Sequence, residues 1–370
     1  MEYNRVKRIN DLGQSIWLDF FDRKIMNTGK LKKLIEDNGI SGITSNPSIF
    51  KTAIINSSDY DEDITVLSQH KSSNNDIFFG LVVKDIKRAA DFFKPVYEKT
   101  NGDDGFVSLE VSPQLAYDTA GTIKQARDLW KKVNRKNVMI KIPGTAEGLI
   151  AIRKCISEGI NINITLLFGL PRYKEVTDAY ISGLEDRVSN NQPISHIFSV
   201  ASFFLSRIDV LIDPILEEKG LNNLKGEVAI ASAKKAYEIY KDIFTSERFK
   251  KLEQKGAKRQ RLLWASTSSK DPSFSDVKYL EALIGNETIN TIPIETLEAF
   301  NNHGNAENRL EDDLDKATHV LAQLNDKGIN INIITQKLED VGIKKFNLDY
   351  DDLIEAIEKE KQMVSSKIIF

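Results

Sequence analysis

Val138-Met139-Ile140-Lys141-Ile142-Pro143-Gly144-Thr145-Ala146-Glu147-Gly148 is an apolar run that carries one lysine and stops at Pro-Gly. A short apolar run with a β-branched start, closed by turn residues, reads as a buried strand. Thr145 then stands where an N-cap belongs, and Leu149, Ile152 and Ile156 recur at helical spacing, so a helix follows. Lys141 is therefore expected near the C-terminal end of a buried strand, where a charged amine is costly. Burial favours the neutral form of a lysine, and the neutral amine is the form that attacks a carbonyl to make a Schiff base. A lysine that snorkels to the surface or pairs with a carboxylate fits the same stretch, so both readings stay open on these residues alone.

Seven more segments share this strand character. Residues 15–20, 42–47 and 106–111 precede the lysine strand, and residues 161–166, 197–201, 262–266 and 288–292 follow it. Helical stripes lie between them, as in Val82, Ile86, Ala89, Phe93 and Val96, and in Ala229, Ala233, Ala236, Tyr240 and Ile243. Residues 52–76 are polar and read as a loop-helix insertion. Eight strand-helix alternations predict a parallel sheet, and eight is the number that closes a (β/α)8 TIM barrel. An open doubly wound sheet is the alternative, but no glycine-rich dinucleotide fingerprint follows an early strand. We expect a barrel catalytic domain over residues 1–300. From residue 301 on, the chain is acidic and helical in pattern, and residues 301–370 are expected as a C-terminal helical extension packed on the barrel.

The chain has 370 residues, 28% of them charged, and a formal net charge of −3, which gives no electrostatic support to a nucleic-acid or anionic-membrane partner. No run approaches the ~20 apolar residues of a membrane span, and the N-terminus has no apolar core of a secretion signal. The single cysteine, Cys155, excludes an internal disulfide framework and suits a reducing cytoplasm, where we expect the protein as a monomer or homodimer. With no histidine near it in sequence, Cys155 reads as a packing residue. The four histidines (His70, His196, His303 and His319) are scattered without metal-ligand spacing, so no metal and no cofactor is expected.

A closed sheet would converge its strand ends on one face. That face would hold Asp19, Asn46, Glu110, Lys141, Asn163, Thr165, Ser202 and Arg207. A lysine can form an iminium and act as an electron sink, an acid can relay protons, and amides and hydroxyls can orient substrate hydroxyls. An arginine can hold a phosphate with its fork. Two carboxylates alone would also suit glycoside hydrolysis, but the central lysine makes that less economical.

Three words of the sequence resemble the transaldolase family in its longer bacterial form. They are Gly42-Ile43-Thr44-Ser45-Asn46-Pro47-Ser48-Ile49-Phe50, the stretch from Val138 to Thr145, and Asn161-Ile162-Asn163-Ile164-Thr165-Leu166-Leu167-Phe168. The resemblance covers roughly residues 11–300. It implies a class I transferase of the pentose phosphate pathway, moving a dihydroxyacetone unit between sugar phosphates. Donors would be sedoheptulose 7-phosphate or fructose 6-phosphate, and acceptors glyceraldehyde 3-phosphate or erythrose 4-phosphate. By position, Lys141 would form the Schiff base and Asp19 would be the acid/base for C–C cleavage. Glu110 would activate the catalytic water with help from Thr165. Asn46, Asn163 and Ser202 would bind donor hydroxyls, Arg207 would bind phosphate, and Phe204 would line the site. One departure concerns the second phosphate-binding arginine that follows the seventh strand in shorter relatives. Here Ser266, Ser268 and Lys270 occupy that stretch and are the expected substitutes.

Two rivals remain. A fructose 6-phosphate aldolase-like lyase would share the fold, but that group usually has a glutamine where Glu110 stands and a tyrosine where Phe204 stands. A catalytically silent sugar-phosphate binding protein is the rival from another class, and the complete set of reactive residue types argues against it.

Overall fold

The computed structural model describes residues 4–69 and 72–368, so His70 lies outside it. Eight parallel strands follow one another around a closed barrel in chain order. They are β1 (Gln14–Asp19), β2 (Ile40–Thr44), β3 (Phe106–Glu110), β4 (Val138–Pro143), β5 (Ile162–Leu167), β6 (Ser199–Phe204), β7 (Arg261–Ala265) and β8 (Thr288–Ile292). β8 pairs with β1, from Gln14 opposite Thr288 to Leu18 opposite Ile292, and this closes the ring.

The two ends of the barrel differ in chemistry. Aromatic side chains fill the N-terminal end, where Trp17 lies 6.3 Å from the Phe106 ring and Phe106 lies 5.2 Å from Phe198. The Trp17 indole N–H donates to Asp104 at 2.7 Å. Gly42 makes room for this indole, because a Cβ there would stand 2.5 Å from its ring carbons. Carboxylates, amides and hydroxyls occupy the C-terminal end instead. The turn after β4 is built as its residues dictate: Thr145 accepts from the Gly148 N–H at 2.9 Å and caps the helix Ala146–Ser157. Gly148 lets that first turn sit against the Pro143 carbonyl, which a Cβ would strike.

Three expectations shift. β6 begins at Ser199, not at residue 197, and runs through Phe204. Ile197 is still in a turn onto the Ile194 carbonyl, and the Phe198 N–H is taken by the Asn161 side chain. The polar stretch 52–76 is more helical than expected. Most of its described residues belong to the helices Pro47–Ile55 and Asp61–Gln69, the short 3-10 turn Ser58–Tyr60 and the start of Asn74–Lys99, where Ser73 and Asp76 form a reciprocal capping box. The stretch expected as a strand over 42–47 is strand only to Thr44, since Asn46 and Pro47 already open the helix Pro47–Ile55.

The apolar clusters beyond residue 330 belong to one helix, Ile331–Ile368, roughly 57 Å long at 1.5 Å per residue. It touches β5, the helix Ser206–Glu218 after β6, and the helices Pro47–Ile55, Asp61–Gln69 and Asn74–Lys99 on the β2 side. It therefore crosses the C-terminal mouth of the barrel. Arg172 holds one stretch through Glu339 at 3.1 Å. Farther along, Tyr350 donates to Asn75 at 3.0 Å and Asp352 pairs with Lys51 at 2.7 Å. No helix among the described residues is long and apolar enough to cross a membrane.

Candidate active site

Lys141 and Glu110 are register partners on β4 and β3, both within one residue of the mouth layer. The Lys141 Nζ lies 3.3 Å from Glu110 Oε2 and donates to the Ser45 carbonyl at 3.1 Å. The two residues are 5% and 7% exposed, so the pair is removed from bulk water. Burial pushes the Glu110 carboxyl above the usual range, against the pull of the Lys141 charge. Asp19, at the end of β1, is also raised by burial, with Lys141 and the Thr44 hydroxyl pulling the other way. Thr44 donates to Asp19 Oδ1 at 2.8 Å and shares a 2.7 Å hydroxyl contact with Thr291 of β8. Two carboxylates of raised proton affinity thus lie near one amine, Glu110 on the neighbouring strand and Asp19 on β1, two strands beyond it.

A chain of polar contacts continues around the ring. The Asn163 amide nitrogen donates to Ser108 at 2.9 Å, and Ser202 donates to Asn163 Oδ1 at 2.7 Å. Beside them the backbone breaks the strand pattern. The β5–β6 register shifts between Ile164 and Leu167, and Leu166 adopts a left-handed φ of 60°. Bulges at barrel rims re-aim side chains, and this one follows Thr165 directly. Thr165 is fully buried, yet its hydroxyl has no hydrogen-bond partner among the described residues, and neither carboxylate oxygen of Glu110 has one. Asn46 is the N-cap of the helix Pro47–Ile55, its Oδ1 accepting from Ile49 at 3.0 Å.

Arg207 does not sit on a strand end. It is the second residue of the helix Ser206–Glu218. Its guanidinium carbon lies 5.5 Å from the Phe204 ring and 5.7 Å from the Phe346 ring. Among the described residues it makes no hydrogen bond or ion pair, unlike Arg23, which is paired to Asp85 and Asp63. Burial lowers its proton affinity, opposed by the charges of Asp349 and Asp19. Ser266, in a left-handed conformation with φ 54°, contacts the Ser206 hydroxyl at 2.9 Å, next to Arg207. Lys270 donates to Ser268 at 2.7 Å and is close enough to lower the proton affinity of Asp19.

The mouth thus brings together Asp19, Glu110, Lys141, Asn163, Thr165, Ser202, Phe204 and Arg207. A cavity of about 770 Å³ opens beside them, lined by Asp19, Ser48, Thr52 and Asn56 among others. Thr44, Ser108 and Phe346 were not anticipated. Thr44 lies inside the quoted 42–50 word, and its place at the end of β2 was the available signal. Phe346 carries no such signal, because it is one apolar residue among the charges of a remote helix. Among the described residues, no three histidine, cysteine or acidic side chains gather as a metal site.

A closed (β/α)8 barrel with a buried lysine and acids at its C-terminal mouth defines the class of lysine-bearing barrel enzymes. Residues 16–357 match the family described as Transaldolase/Fructose-6-phosphate aldolase, and the chain belongs to that family. The match runs past residue 300 and includes most of the C-terminal helix. A "Transaldolase" of Trichodesmium erythraeum is 47% identical over 373 residues, 97% of this chain and 98% of that protein. A "Transaldolase 2" of Nostoc punctiforme is 45% identical over 379 residues, 99% of this chain and 100% of that protein. A "Transaldolase" of Saccharopolyspora erythraea is 43% identical over 359 residues, 96% of this chain and 98% of its own length.

Proposed function

We propose that this protein is a transaldolase, a transferase of the pentose phosphate pathway that works through a Schiff base on Lys141. The observation that carries the reading is the buried Lys141 amine, 3.3 Å from Glu110 and within the electrostatic reach of Asp19. The neutral amine adds to the ketose carbonyl and water leaves, giving an iminium. Asp19 takes the proton of the C4 hydroxyl, the C3–C4 bond breaks, and its electrons pass to the iminium as an enamine. An acceptor aldehyde reverses these steps. Glu110 and Thr165 serve the water that enters and leaves: the Thr165 hydroxyl has no hydrogen-bond partner among the described residues, and Glu110 Oε1 is not engaged by Lys141, so both can bond it. A raised proton affinity, caused by burial, suits both acids to hold and pass on a proton.

Asn46, Asn163 and Ser202 orient the donor hydroxyls. The Asn46 Oδ1 already caps a helix, which leaves its amide N–H groups for substrate. Arg207 takes the phosphate, because a half-buried guanidinium with no hydrogen bond or ion pair among the described residues suits an anion. Ser266, Ser268 and Lys270 complete that end, and Phe204 lines it. Borohydride trapping with fructose 6-phosphate, followed by peptide mapping, tests the assignment. A single adduct on Lys141 is expected, and label elsewhere or none overturns it. Fructose 6-phosphate cleavage that runs as fast without an acceptor as with one would instead favour the lyase.

A further inference from the structure

The Lys141 amine is covered by a residue that belongs to none of the eight strands. The Phe346 ring centroid lies 5.9 Å from Lys141 Nζ and 5.7 Å from Arg207 Cζ, and Phe346 is 4% exposed. One ring thus spans the groups proposed above to hold the two ends of a ketose phosphate. Its position is fixed from both sides, by Arg172–Glu339 before it and Tyr350–Asn75 after it. Phe346 is on no barrel strand, and its helix is also fastened by other residues.

We propose that Phe346 is a positioning residue that roofs the Lys141 adduct, shields the enamine from water and so sets the partition between transfer and release. The inference rests on the Schiff-base reading of Lys141. After C–C cleavage the enamine waits for an acceptor aldehyde. Its nucleophilic carbon is two bonds from Nζ and so lies beneath the same ring. If water reaches it, that carbon takes a proton, the iminium re-forms, and a second water adds to it. The C–N bond then breaks, giving free dihydroxyacetone and the regenerated amine. An apolar ring over the adduct keeps proton-donating water off that carbon, and its face also favours the cationic iminium. The cavity lined by Asp19, Ser48 and Thr52 is not lined by Phe346 and lies on the side of the acid, and it is the entry this reading gives the acceptor, which displaces water as it binds.

The test uses the full chain with fructose 6-phosphate as donor. Steady-state glyceraldehyde 3-phosphate formation is measured with and without erythrose 4-phosphate, and the ratio of release to transfer is the readout. In Phe346→Ala the ratio rises about tenfold, through faster release rather than slower transfer alone. Phe346→Leu keeps an apolar cover and folds with little disturbance, and it shows a smaller rise in the same direction. A purely structural role would lower both rates together and leave the ratio unchanged. An unchanged ratio in the leucine variant, and in the alanine variant if it folds, overturns the proposal. Borohydride trapping of the parent protein runs alongside. Without a Lys141 adduct the Schiff-base reading fails, whereas an adduct with unchanged ratios fails the roof alone.

Discussion

Replacing Lys141 by methionine keeps an unbranched side chain only one atom shorter and deletes its charge, so it isolates the buried pair with Glu110. At 3.3 Å and an effective dielectric of about 20, two unit charges attract by about 5 kcal/mol. Desolvation offsets much of this in the intact pair. Removing one partner strands the other, at a cost of about 3–5 kcal/mol. Glu110 escapes by taking up a proton, and its pKa is already raised by burial while Lys141 is present. Without the amine it rises further. A carboxyl whose folded pKa is raised contributes stability that is full below its ordinary value and is lost as pH climbs through the folded value. The deficit of Lys141→Met should therefore be greatest at pH 7–8 and shrink as pH falls toward the ordinary glutamate value of 4.5. Thermal melts should show a fall of roughly 5–10 °C at pH 7.5 and a smaller one at pH 5. The double variant Lys141→Met/Glu110→Gln should recover more than half of the loss at pH 7.5. A double variant as unstable as the single one, or a deficit that ignores pH, would refute the reasoning.

Asp19→Asn keeps an acceptor for the Thr44 hydroxyl but removes a buried charge. It should melt higher than the parent at pH 7.5, lose that advantage as pH falls toward 4, and reduce kcat about 10²–10⁴-fold. Arg207→Met should raise KM for fructose 6-phosphate by about 10–100-fold, the loss of a charged hydrogen-bonding partner, and leave KM for unphosphorylated fructose nearly unchanged. Equal effects on both sugars in steady-state assays would remove the phosphate role. Gly42→Ala drives a methyl to 2.5 Å from the Trp17 indole and should destabilise by about 1–3 kcal/mol, read by denaturant melts, with activity retained in the folded fraction.

Much of the barrel is legible in the sequence because its strands are buried on both faces. Runs such as 106–111 and 138–143 are continuous and apolar, and polar residues appear where the strands end. Those exceptions make up the candidate site, and so Asp19, Glu110 and Lys141 stand out before any coordinates are known. Side-chain partners are less legible. Thr44 bonding Asp19, or Asn163 bridging Ser108 and Ser202, depends on which strands are neighbours across the ring. The left-handed Leu166 leaves no mark at all, since leucine is not a residue that announces a positive φ. The start of β6 is hidden because Ile197 and Phe198 look like strand residues while their N–H groups are used in a turn and by Asn161. Phe346 is invisible for a different reason: its meaning lies in where a distant helix docks.

That docking also imposes an order of events during synthesis. Residues 331–368 follow all eight strands along the chain. A nascent polypeptide can assemble its barrel with the reactive amine still open to cellular aldehydes, and it becomes a guarded vessel only when the final strap is laid across the rim.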